Sequence, residues 1–231
     1  MPSPRRKFIG QLVTGAAAYA ATACAHAVAA ETPSPAPSPK PADPKWDLSW
    51  TDRLSNGMHK QVFDAPEISE GTALHQARMF YVNYHDVYST PDTDLRAVLV
   101  FRHMGIPVVL GDAIWAKYPV IGKKMTKLKD PTSGEWTQRN PFLNTKKDDK
   151  YAYVWVDGGL DNLITRGAIV LACNLAFTGF ANQIAEKTKQ PKDAVHEEFK
   201  AALVPGVTLV PSGIFGVIRA EQGGCSYIRA T

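Results

Sequence analysis

Arg166-Gly-Ala-Ile-Val-Leu-Ala-Cys173-Asn-Leu-Ala-Phe-Thr-Gly-Phe180 changes its periodicity at the cysteine. Ala168 to Ala172 is a short unbroken apolar run after Gly167, the pattern of a strand covered on both faces. From Asn174 onward, Leu175, Phe177, Phe180, Ala181, Ile184 and Ala185 recur at helical spacing. The change places Cys173 at the carboxyl end of a strand, beside a helix start. Ligands of open α/β sheets bind along that rim. A thiol there also meets the positive end of a helix, which favours its ionised form. A free cysteine is equally at home as a small buried hydrophobe, so position alone leaves both readings open.

The rest of the chain repeats this alternation. His59 to Asp64 reads as a first strand, ended by Pro66. Leu74, Ala77, Tyr81, Tyr84 and Tyr88 mark one helix face, with Ser69 to Thr72 as candidate caps and a stop before Pro91. Leu95 to Phe101 is a second strand, nearly continuous in apolar residues, followed by Arg102 and His103. Asp112 is placed to cap a helix through Trp115, Lys117 and Tyr118. Tyr151 to Val156 has strand propensity, and Leu160 to Ile164 a short helical stripe. After the Cys173 strand and its helix, Pro191 opens a further helix, with Val195 and Phe199 on its apolar side. Val207 to Pro211 is a strand, Ile214 to Gln222 a helix, and Cys225 to Arg229 the closing strand. Alternating strands and helices predict an α/β chain, a three-layer α/β/α sandwich around a mostly parallel sheet. Residues 119–150 depart from the pattern. They carry seven lysines between Lys123 and Lys150 and few apolar residues, and read as a basic solvated insertion anchored by Trp136 and Phe142.

The amino end reads as an address. Arg5-Arg6-Lys7-Phe8-Ile9 is a twin-arginine motif, Leu12 to Ala25 is mildly apolar, and Ala27-Val28-Ala29 is a small-x-small cleavage site. Cys24 follows Ala-Thr-Ala, a poor lipoprotein signal, and is expected to leave with the signal. Residues 31–45 are rich in Pro, Ser and Ala and read as a disordered tether to a single domain, 46–231. The expected location is therefore the periplasm. Removal of Arg5, Arg6 and Lys7 takes the formal charge from +4 to +1. So balanced a chain offers no electrostatic case for nucleic acid, and no stable membrane insertion is expected once the signal is gone. Neither a Gly-x-Gly-x-x-Gly fingerprint nor a phosphate loop occurs, so no nucleotide cofactor is expected.

Several blocks together resemble the exported branch of the DsrE/DsrF-like family. They are His103-x-Gly-Ile-Pro-x-x-Leu-x-Asp112-x-x-Trp115-x-Lys117-Tyr118, Arg139-Asn-Pro141, Ala172-Cys-Asn-x-Ala176, Pro205-Gly-Val-x-x-Val-Pro-Ser-Gly213 and Arg219-Ala-x-x-x-Gly-Gly-Cys-x-Tyr227. The likeness covers about residues 55–229. It implies a five-stranded parallel sheet, a homo-oligomer, and a cysteine comparable to Cys173 that carries sulfur as a persulfide for a small sulfur compound or a relay partner protein.

The expected site follows from these readings. Cys173 is the nucleophile, with His103 as its base if the two are within reach. Asp112, Trp115, Lys117 and Asn174 are candidate ligand-binding residues, Asp112 also as the group that orients His103. The spacing of His103, Asp112 and Cys173 gives no support to a metal site. The rival function is a non-catalytic small-ligand-binding or assembly module in which Cys173 is structural. A Cys173–Cys225 disulfide is excluded if the sheet is all parallel, because the two residues then lie at opposite ends of strands roughly 17 Å long.

Overall fold

The computed structural model describes residues 45–147, 149 and 155–231. The twin-arginine motif, the cleavage site, the tether and most of the expected Tyr151–Val156 strand lie outside the described residues. Five strands form one sheet: β1 (His59–Ala65), β2 (Leu95–Phe101), β3 (Ile169–Cys173), β4 (Val207–Val210) and β5 (Ser226–Arg229). Their order is β4-β3-β2-β1-β5, and all four pairings are parallel. The helices are α1 (Thr72–Tyr88), α2 (Asp112–Lys117), α3 (Leu160–Thr165), α4 (Asn174–Thr188), α5 (Lys192–Ala201) and α6 (Gly213–Gln222). The fold is the three-layer α/β/α arrangement read from the sequence.

Burial on both sheet faces explains the apolar runs of β2 and β3. Leu99, Phe101, Val170 and Ala172 face one layer, with α1, α3, α4 and α5 residues such as Leu74, Tyr81, Leu163, Phe177, Phe180 and Phe199. Val98, Val100, Ile169 and Leu171 face the other, under Val217 and Ala220 of α6 and under Trp50 and Leu54 of a 3-10 turn, Ser49–Leu54. From β1 to β4 each crossover moves one strand along the sheet. The β4–β5 connection instead returns to the far edge, carrying α6 across the second face. Chains leaving β3 and β4 therefore go to opposite faces, and the crevice of such a sheet opens between strands of that kind.

Several local expectations are corrected. Ser69 and Thr72 do not cap α1; Gly71, with φ of 89°, stands at that position without a side-chain bond. Gly111, not Asp112, is the residue at the cap of α2. Ile106 to Leu110, an apolar stretch in the sequence, lies largely in a 3-10 turn over His103–Val109, with Pro107 inside it. Trp155 and Val156, the described end of the expected Tyr151–Val156 strand, are in a turn region rather than a strand.

The insertion is a packed structure. Ile121–Thr126 is a π-helical turn, and Lys129 bridges Trp136 in antiparallel fashion. Phe142, Thr137 and Asn140 are wholly buried. Arg139 bonds Asp130 at 2.6 Å and Asp149 at 2.7 Å. Burial pushes both carboxyls up, but the Ser133 and Thr132 amides with Arg139, and the Lys146 amide with Arg139, outweigh it, so both stay below their ordinary value. Carboxyls depressed on folding add stability at pH above their unfolded value and withdraw it as pH falls through the folded one. Acid titration is thus expected to loosen the insertion below about pH 4, and Arg139→Met is expected to shrink that acid-dependent loss of stability. A pH profile unchanged in Arg139→Met would contradict this.

Cys173 and Cys225 are both buried free thiols. β3 and β5 are separated by β2 and β1, three strand spacings or roughly 14 Å, far beyond disulfide reach. Two titratable thiols are expected in the denatured, unreduced mature chain; a single bridge and no free thiol would contradict the topology.

Candidate functional site

Cys173 is the last residue of β3 and the N-cap of α4, with φ of −67° and ψ of 111°. Its Sγ accepts the Ala176 N–H at 3.4 Å. Ser212 does the same for α6 across the crevice, its Oγ accepting the Phe215 N–H at 3.1 Å. Two helices of 15 and 10 residues thus begin side by side at the carboxyl rim, one capped by a sulfur and one by a hydroxyl. A hydroxyl is the better cap, because sulfur is a weak acceptor. The choice of sulfur at Cys173 therefore has no helical rationale.

Arg102 is the neighbouring group. β2 and β3 are in register from Val98↔Ile169 to Phe101↔Ala172, so the next step sets Arg102 opposite Cys173. The guanidinium reaches back along β1 and holds Asp64 with two bonds, Nε to Oδ1 at 2.7 Å and Nη2 to Oδ2 at 2.9 Å. Tyr227 of β5 donates its hydroxyl to the same Oδ2 at 3.0 Å. These bonds from Asp64 raise Arg102 above its ordinary value against the opposing effect of burial, with the charges of Asp64, Tyr227 and Cys173 adding to the rise. The Arg102 stem lies against the first turn of α6. A Cβ at Gly213 would stand 2.7 Å from Arg102 Cβ and Cδ, so this position tolerates only glycine without displacing the arginine.

The expected base does not join the sulfur. His103 has φ of +48°, is largely exposed, and sets its Nδ1 3.2 Å from Glu67 Oε1. The left-handed turn at His103 points its ring away along the chain rather than along the strand register that brings Arg102 to Cys173. Asp112 does not orient it either; Asp112 Oδ1 accepts the Asn140 N–H at 2.8 Å and ties the insertion to α2. Trp115 is fully buried and donates Nε1–H to the Pro107 carbonyl at 3.2 Å, a packing role. Lys117 pairs with Glu198 at 2.7 Å, linking α2 to α5. Asn174 is next to Cys173 in the chain, but lines a cavity of about 590 Å³ beside β4, with Trp46, His196, Lys200 and Leu209. Of the sequence-derived set, only Cys173 remains at the crevice, with Asn174 at its flank. Among the described residues, no three His, Cys, Asp or Glu side chains are grouped to hold a metal, so His103, Asp112 and Cys173 do not form such a set. Also among the described residues, no helix is long and apolar enough to cross a membrane.

Sequence reasoning passed over Asp64, Arg102 and Tyr227. A signal was present: Asp64 is a carboxylate in the apolar second half of a strand, after Val62 and Phe63, and Arg102 directly follows the apolar end of another. Charges so placed are seldom buried unless paired.

No protein-family model matches the chain, and no curated protein matches it. Among solved structures it is similar to a protein of unknown function, MTH1491 from Methanobacterium thermoautotrophicum, at 18% identity and a TM-score of 0.37, over 74% of this chain and 98% of that one.

Proposed function

We propose that the chain is an exported DsrE-like sulfur carrier or sulfurtransferase-like protein, in which Cys173 bears the sulfur. The observation that carries the reading is a cysteine where a serine would cap better, at the crevice between β3 and β4, opposite an arginine. A terminal sulfur on Cys173 lies among helix N-terminal amides, which favour negative charge. Arg102 rather than His103 is the charged residue that the strand register brings level with it, its guanidinium held on Asp64. Exposed Ile214 and Ile218 of α6 and Tyr227 and Ile228 of β5 provide apolar surface for the homo-oligomer that belongs to this reading.

The test is the intact mass of freshly purified mature protein with and without reductant. A reductant-sensitive gain of one sulfur atom is expected, absent in Cys173→Ser. Because an oxygen cap replaces a sulfur one, Cys173→Ser is also expected to unfold at the same temperature as the parent or slightly higher. A clean mass before and after incubation with a sulfane-sulfur donor favours the second reading, a small-ligand-binding module. The cavity beside β4 is the observation on that side, since its size is that of small-molecule sites.

A further inference from the structure

We propose that the cavity beside β4 is a binding site for an uncharged, hydroxyl-rich small molecule of sugar size. The site goes beyond the sulfur reading and does not depend on it, since Cys173 is not among the residues that line the cavity.

The cavity exists because β4 ends the sheet. β4 pairs with β3 alone, so no strand fills the space along its outer side. An open edge invites a further strand unless it is covered or charged. Val207-Thr-Leu-Val210 carries no charge, yet its residues are half-buried or buried. The cover comes from the last turns of α5 and from residues 45–47, which enclose with β4 a space of about 590 Å³. That volume suits a small molecule.

The lining selects the ligand by what it leaves unpaired. Asn174 and Thr208 are half-buried, and among the described residues neither side chain makes a hydrogen bond. Polar groups covered to this degree are normally bonded. An amide and a hydroxyl both donate and accept, as the hydroxyls of a sugar do. His196 sets its Nε2 3.2 Å from Thr178 Oγ1. Its Nδ1 lies 3.8 Å from Glu197 Oε1, too far for a hydrogen bond, so that nitrogen is open as well. Among the described residues the charges balance. Lys200 is held by Glu197 at 2.9 Å, and Lys45 stands with Asp47. Two cations matched by two carboxylates leave no net field to draw an ion of either sign. Trp46, Leu203 and Leu209 supply apolar wall. A sugar ring has C–H faces for an indole to cover and hydroxyl edges for uncharged donors and acceptors, and the lining offers both.

Saturation-transfer NMR on the mature protein tests the site with glucose, galactose, mannose, glucuronate and glucosamine as probes. At least one of the three neutral sugars is expected to bind, and the two charged relatives of glucose to bind no better than that sugar. Trp46→Ala is expected to weaken the binding about tenfold by removing apolar wall. Thr208→Val keeps the shape and strand preference of the residue and loses its hydroxyl, with a loss of about fivefold expected. This second variant reads the site even where Trp46→Ala loosens residues 45–47. No binding of any neutral sugar overturns the ligand class, and so does tighter binding of glucuronate or glucosamine than of every neutral sugar. Neutral-sugar binding that keeps its full strength in both variants overturns the location. The intact mass of the same preparation keeps the two functions apart. Sugar binding without sulfur uptake leaves this site standing and counts against the carrier, and sulfur uptake without sugar binding does the reverse.

Discussion

Asn140→Ala is expected to destabilise the fold by about 4 kcal/mol, lowering the unfolding temperature by roughly 12 °C. The side chain is wholly buried and fully used. Its Nδ2 donates to the Val108 carbonyl at 2.7 Å and to the Leu110 carbonyl at 2.8 Å, and its Oδ1 accepts the Phe142 N–H at 3.0 Å. Alanine leaves two carbonyls and an amide without partners in a region closed to water. Each such loss costs about 1–3 kcal/mol. Asn140 also joins the insertion to the 3-10 turn that follows β2, and that turn begins at the residue after Arg102. Chemical and thermal denaturation of the mature protein measure the effect. A loss under about 1 kcal/mol would mean that the insertion is an appendage, contrary to its burial.

Gly105 gives the other large effect on stability. A Cβ there would stand 2.4 Å from the Ala65 carbonyl oxygen, a backbone atom fixed at the end of β1. The Gly105 N–H donates to the Pro66 carbonyl at 3.1 Å and to the Arg102 carbonyl at 2.8 Å, while the Arg102 N–H donates to the Ala65 carbonyl at 3.1 Å. The turn that sets Arg102 therefore cannot step aside without breaking these bonds. Gly105→Ala is expected to cost about 3 kcal/mol. Gly179→Ala is the control of opposite sign. It lies inside α4 with nothing within 4 Å of its added carbon, so alanine is expected to stabilise by about 0.5–1 kcal/mol. Equal effects at the two glycines would contradict the account.

The reach of sequence reasoning differed between fold and site for a physical reason. β2 was legible to the residue, as Leu95–Phe101, because a strand buried on both faces is nearly continuous in apolar residues, with the half-buried Arg96 as its exception. The change from β3 to α4 at Cys173 was legible because the two periodicities differ, and alternation led to a mostly parallel sheet, which the structure makes parallel in all its pairings. The cap of α1 was not legible. Ser69 and Thr72 are good caps by type, but the chain turns through Gly71 in a left-handed conformation. The insertion misled by composition. Its described lysines are exposed, while the few residues that matter, Thr137, Asn140 and Phe142, are buried singly and make no repeating pattern.

At the site, the sequence by itself determined that Cys173 ends a strand and starts a helix, because that is a property of consecutive residues. It also determined that Cys173 and Cys225 stay apart, because strand direction follows from the alternation of elements. Only the tertiary structure decided which charge stands beside the sulfur. Arg102 and His103 are adjacent in the chain, yet strand register carries one to Cys173 and a left-handed turn carries the other to Glu67. Asp64 and Tyr227 are 163 residues apart and meet only because β5 returns to the edge beside β1. Register and strand order are settled by packing across the whole sheet, and no local run of residues encodes them.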